Sequence, residues 1–186
     1  MEIIESINFL AISGSLRKAS YNTAALNALR ILAPNHTDIA VFSKLGEIPL
    51  FNPDREGEQI PVLEELRRLI AQADGLIIAS PEYAHGISGV LKNSLDWLVS
   101  GFEFVNKPIM LINTSPRANI ALDSLREIVK TMSGVIVESS CVSVPLLGSG
   151  MDCQQIVKHA EFSALLCSGL KEFSQVVQQL KINKSP

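Results

Sequence analysis

Between Ser13 and Asn22 the chain reads Ser-Gly-Ser-Leu-Arg-Lys-Ala-Ser-Tyr-Asn, with hydroxyls at Ser13, Ser15 and Ser20 and a guanidinium at Arg17. Hydroxyls, the open amides of a following helix and a planar cationic fork are the groups that ring a terminal phosphate. The loop has one glycine, so it is neither a dinucleotide fingerprint nor a Walker loop. The same residues also suit an ordinary capped turn with a solvated arginine. A second loop, Ser80 to Gly89, contains Pro81, Gly86 and Gly89, which hold backbone N–H groups in an open turn able to face a planar ring. Amides so placed tune a redox-active ring through hydrogen bonds. Tyr83 would stack on such a ring or cover it, or else pack as a half-buried aromatic. His85 is a candidate proton donor in this loop, and equally a solvent-facing histidine without catalytic duty.

These loops need a frame, and the chain supplies one by alternation. An apolar run, a small polar loop and an amphipathic helix pattern follow one another five times. Strands are expected at Asn8 to Ile12, Asp38 to Phe42, Gly75 to Ala79, Pro108 to Ile112 and Val135 to Val144. Helices are expected at Asn22 to Leu32 with Asn22 as cap, Pro61 to Ala73, Gly89 to Leu98, Ile120 to Met132, and within Asp152 to Leu180 as one long helix or two shorter ones. Short connections between alternating elements mean right-handed crossovers and a parallel sheet. The expected class is therefore α/β: a three-layer sandwich with a flavodoxin-like, five-stranded parallel sheet in the order 2-1-3-4-5. Helices cover both faces, and residues 1–186 form one domain. Ligands bind where that order reverses, so the loops after Ile12, Ala79 and Ile112 matter most. The irregular stretch from Ser43 to Ile60 is longer than most connections, and Gly46 to Glu56 within it would act as a partner or substrate flap.

Composition narrows the partners. The 186 residues are 47% hydrophobic and 5% aromatic, an aliphatic mix suited to parallel strands covered on both faces. A net charge of -3 with scattered basic residues attracts neither nucleic acid nor anionic lipid. No apolar run approaches the roughly 20 residues of a membrane span. Glu2 and Glu5 stand where a signal peptide would be basic, so a cytoplasmic address is expected. Cys141, Cys153 and Cys167 lack the spacing of a zinc site and read as reduced thiols, with a Cys153–Cys167 pair as the alternative. The run Glu64, Glu65, Arg67, Arg68 reads as a solvated helix face, and His36 and His159 as surface residues. Ile87, Val90, Leu91, Leu95, Trp97 and Leu98 form an apolar set that would cover a neighbouring subunit.

Two stretches carry a resemblance: Ser-Gly-Ser-Leu-Arg-x-x-Ser-x-Asn at Ser13 to Asn22, and Pro-Glu-Tyr with Gly-x-Leu-Lys-Asn-x-x-Asp-Trp at Pro81 to Trp97. With the alternating pattern over nearly the whole chain, they resemble the NADPH-dependent FMN reductase family, which includes chromate, quinone and azo reductases. The resemblance implies an FMN-containing oxidoreductase that passes hydride from NADPH or NADH through flavin N5 to a small acceptor: a quinone, free flavin, an azo compound or a metal oxyanion such as chromate. It implies a homodimer or homotetramer. Carried over, Ser13, Ser15, Arg17, Ser20, Asn22 and Thr23 would hold the FMN phosphate. Pro81, Glu82 and Tyr83 would line the isoalloxazine edge, and Ser115 would lie beside the flavin.

The cofactor carries the chemistry, so no catalytic side chain and no metal ligand are expected. Ala84 stands where the family usually has Asn, and Ser88 replaces its usual proline, which frees the loop from a φ restraint. Ala118 and Asn119 take the place of a Gly-Gly pair. Two alternatives remain: an FMN-binding electron carrier or sensor without NAD(P)H activity, which the weak net charge disfavours, and a divergent member that has lost flavin. Arg117 and Lys18 are the basic candidates for a nicotinamide 2′-phosphate.

Overall fold

The computed structural model describes residues 6–117 and 119–183; Glu2, Glu5 and Ala118 fall outside them. Strands β1 (Ile7–Ser13), β2 (Thr37–Phe42), β3 (Gly75–Ala79) and β6 (Pro108–Asn113) form a parallel sheet in the order β2-β1-β3-β6. Between β3 and β6 the chain makes a separate two-stranded hairpin, β4 (Glu82–Tyr83) and β5 (Gly86–Ile87).

The fifth position of the sheet departs from the expected continuous strand. Two short pieces, β7 (Val135–Ile136) and β8 (Val142–Ser143), pair with the start and the end of β6, with a 3-10 turn at Glu138–Ser140 between them. The turn follows from local chemistry. Glu-Ser-Ser favours a turn over a ladder, and buried Ser140 donates its hydroxyl to Val137 O at 2.7 Å. The break deprives Leu111 N–H of a strand partner, and Cys141 Sγ accepts from it at 3.4 Å.

Side chains alternate across the sheet, and each set meets its own helices. Leu10, Ile12, Leu76, Ile78, Ile109 and Leu111 pack against α2 (Pro61–Gln72), α3 (Gly89–Leu98) and α4 (Asn119–Thr131). Ile7, Phe9, Ala11, Ile77, Met110 and Ile112 face α1 (Tyr21–Leu32), α5 (Cys153–Lys158) and α6 (Ala160–Ile182). Burying each such leucine or isoleucine stabilises the fold by roughly 1.5–3 kcal/mol. Phe9 and Phe173 stack with centroids 4.7 Å apart and tie β1 to α6. α6 also crosses the broken edge closely: a Cβ on Gly169 would lie 2.6 Å from Val142 Cγ1 and 2.7 Å from Ser140 O.

Several sequence expectations change at this level. Leu91, Leu95, Trp97 and Leu98 are buried in the chain's own core and cannot cover a neighbour; Ile87 packs against the same core. Arg67 is no solvated charge, because it turns inward to Trp97 O at 2.9 Å and lies 3.8 Å from Glu103. His159 accepts from Phe162 N–H and stacks on that ring, starting α6 instead of facing solvent. All three cysteines are free, so the Cys153–Cys167 pairing does not form.

Candidate functional site

α1 begins differently from its expected start. Ser20, buried, is the N-cap and accepts from Thr23 N–H at 3.3 Å, whereas Asn22 is the second helical residue. No acidic side chain occupies the first turn. The open amides at this end and the positive pole of the helix dipole therefore point to an anion.

The loop before α1 is held from within. Ser13 Oγ and Thr23 Oγ1 share a 2.8 Å hydrogen bond, Ser15 N–H donates to Ser13 Oγ, and Arg17 N–H donates to Ser15 Oγ. Gly14 N–H donates to Ala79 O at 2.8 Å, and a Cβ on Gly14 would lie 3.0 Å from both Ser80 Oγ and Ser88 Oγ. Glycine lets the β1 loop lie directly against the β3 loop.

The loop after β3 is the hairpin β4–β5, whose two-residue turn places Ala84 at φ 49° and His85 at φ 60°. Both values are left-handed, as a type I′ turn requires. Glu82 is engaged within the protein. Its carboxylate accepts from Ala121 N–H at 2.9 Å, in the first turn of α4, and lies 3.0 Å from His85 Nδ1. The Ala121 amide, with smaller help from His85, holds the Glu82 carboxyl below the usual glutamate range. His85 is 75% exposed and points to this carboxylate. Ser88 sits at φ -61°, a value a proline would also hold, and caps α3 by accepting from Leu91 N–H.

After β6, Asn113 Oδ1 accepts from Ser115 N–H and Ser115 Oγ accepts from Arg117 N–H. Thr114 Oγ1 donates to Asn22 Oδ1 at 3.0 Å, joining this loop to α1.

The three loops enclose a cleft of about 280 Å³ at the carboxyl ends of the strands. Of the expected cofactor residues, Ser15, Arg17, Ser20, Asn22, Pro81, Glu82, Tyr83 and Ser115 line it. Ser13 and Thr23 do not; they brace the loop behind it. Tyr21, Thr114, Arg117 and Leu147 complete the lining. Tyr21 and Thr114 stand inside stretches already singled out, but nothing in the sequence marks Leu147. It arrives on a loop with left-handed glycines at Gly148 and Gly150, fixed where Gly150 N–H donates to Tyr21 Oη at 3.0 Å. Arg17 and Arg117 are exposed at the rim, and among the described residues neither guanidinium is in an ion pair.

A larger cavity of about 630 Å³ lies between α2, α3 and the segment leading into β6. No residue of the three switch-point loops reaches it. Among the described residues no group of His, Cys, Asp or Glu could hold a metal ion.

A family model described as NADPH-dependent FMN reductase matches residues 7–146, from β1 to the wall of this cleft. The chain belongs to this family. A relative from Pseudomonas aeruginosa, named an NAD(P)H-dependent FMN reductase, is 40% identical over 114 residues, and a quinone reductase from Escherichia coli is 33% identical over 115. Each alignment covers 60% of this chain, and the chain spans 61% of the length of each of these curated relatives. Among solved structures, a flavoenzyme NAD(P)H:(acceptor) oxidoreductase from Paracoccus denitrificans superposes with a TM-score of 0.70 at 20% identity, over 91% of this chain and 98% of that one. That likeness concerns the fold, a flavodoxin-like parallel sheet with helices on both faces.

The donor set fits the family's cofactor. Helix-terminal amides, Ser15, Ser20 and Arg17 match a phosphate monoester, and Pro81, Tyr83, Thr114 and Ser115 form the walls beyond it.

Proposed function

We propose that this chain is an NAD(P)H-dependent, FMN-containing oxidoreductase that reduces a small acceptor such as a quinone, free flavin, an azo compound or a metal oxyanion. One observation carries the reading: the N-terminus of α1 and the loops after β1, β3 and β6 converge on a single cleft at the switch point of a parallel sheet, where a phosphate and a planar ring would fit the groups present. Bound FMN supplies hydride acceptance and donation at N5. The protein's part is binding and orientation. Arg17 and the first turn of α1 anchor the phosphate, Ser13 and Thr23 keep that loop in shape, and Tyr83, 53% exposed, edges the open side where donor and acceptor enter in turn. No side chain need exchange a proton with the donor, and His85 is held to Glu82 through Nδ1.

The wider assignment is a single cytoplasmic domain over residues 1–186 that works as a homodimer or homotetramer. Among the described residues no helix is long and apolar enough to cross a membrane. Leu16, 57% exposed between the cleft residues Ser15 and Arg17, and Leu50, 82% exposed in the loop after β2, support association of copies. The test is the visible spectrum of the purified protein with added FMN, followed by NADPH oxidation in the presence of benzoquinone. Flavin bands and steady turnover are expected. A protein that stays colourless overturns the reading, and one that binds FMN but is never reduced is a carrier or sensor instead.

A further inference from the structure

Resting on the reductase reading, we infer that Arg117 binds a phosphate of the incoming nicotinamide dinucleotide, while Arg17 serves the FMN phosphate. The two arginines stand on different loops of one cleft. β1 and β6 lie on opposite sides of β3, so the strands that lead to Arg17 and Arg117 end about 10 Å apart at ~4.8 Å per strand, although Thr114 reaches across to Asn22. Ser15, Ser20 and the amides of α1 are all on the Arg17 side. One phosphate is satisfied there by helix amides and a single guanidinium.

Arg117 has no comparable set around it. Its own backbone is fixed by Ser115 Oγ, and Ser115 by Asn113 Oδ1, so two successive side-chain turns set where the guanidinium begins. Arg55, Arg67 and Arg126 each pair with a carboxylate, whereas Arg117 stays unpaired at the rim among the described residues. A neutral quinone offers this cation carbonyl oxygens but no charge to pair with, and a small oxyanion would sit over the ring inside the cleft. A dinucleotide donor must lay its nicotinamide in the cleft while its diphosphate and adenosine extend over the edge, bringing anionic oxygens to the rim. The planar fork of arginine matches such a group bidentately.

The experiment uses FMN-loaded Arg117→Ala and Arg117→Lys proteins, with KM measured for NADPH and NADH and the FMN dissociation constant measured by fluorescence. Arg117→Ala is expected to raise the dinucleotide KM about 10- to 100-fold, the usual loss for a charge-assisted contact, with FMN affinity unchanged. Arg117→Lys recovers part of it, since charge is kept and the fork is lost. A rise confined to NADPH assigns the 2′-phosphate, and an equal rise for both donors assigns the diphosphate; either supports the inference. Unchanged KM for both donors overturns it, as does weakened FMN binding, which would give Arg117 to the cofactor. Wild-type protein that takes up no FMN overturns the parent reading and this one together, and is seen before any variant is made.

Discussion

Glu82 caps α4: its Oε2 accepts a hydrogen bond from Ala121 N–H at 2.9 Å, across 39 positions of sequence. The carboxylate thereby fastens the hairpin after β3 to the helix that follows the third loop. Two walls of the cleft are held by one side chain.

Because the Ala121 amide favours the ionised form, the Glu82 carboxyl is depressed below its ordinary value of about 4.3. A depressed acid contributes stability that is present above that value and lost as pH falls through the lower, folded one. Urea unfolding midpoints for wild type should drop below about pH 4.5. Glu82→Gln should be less stable near neutrality and show a flatter acid limb. Parallel curves for the two proteins would remove Glu82 from this role.

Ala84 is held at φ 49°, where an alanine costs roughly 1 kcal/mol or more and an asparagine far less. Ala84→Asn is expected to raise stability by about 0.5–1 kcal/mol in urea titrations. A neutral or destabilising result would mean that the turn does not bear the strain its dihedrals describe.

Asn93 accepts from Phe51 N–H at 2.7 Å and donates to Pro49 O at 3.0 Å, where Trp97 Nε1 also donates at 2.8 Å. Asn93 and Trp97 thus staple the loop after β2, the stretch that its length and irregularity mark as a flap. Asn93→Ala leaves partly buried backbone groups unpaired and should cost about 1–3 kcal/mol. Trypsin should then cut faster after Arg55, and an unchanged cleavage rate in the variant would contradict the stapling.

Burial pushes the Cys141 thiol up, and its sulfur is engaged with Leu111 N–H and Val137 O. Burial also raises Cys153, while Cys167 is exposed. Iodoacetamide at pH 8 should label Cys167 first and leave Cys141 untouched until denaturant is added, as peptide mass mapping can show. Early labelling of Cys141 would count against its place behind the broken strand.

The sheet order, the five-fold alternation and most boundaries were legible because each parallel strand is a short aliphatic run with a polar loop after it. Gly75–Ala79 and Gly89–Leu98 fell where expected for that reason. The fifth strand was not legible, since Val135 to Val144 reads as apolar overall and the decisive acts are a serine hydroxyl and a thiol bonding across space. The β4–β5 hairpin escaped because Ala-His is not the usual chemistry of a left-handed turn. In the cleft, residues that share a loop with a motif could be found from sequence. Leu147, delivered by a contact between Gly150 and Tyr21, could not.

That last contact joins positions 129 apart in the chain. As a ribosome emits the polypeptide, the anchor at α1 appears early, but the wall bearing Leu147 closes only after Gly150 has emerged and β6 and α6 have given its segment something to lie on. Cofactor capture should therefore be a late event in the life of the nascent chain, following assembly of the sheet instead of nucleating it.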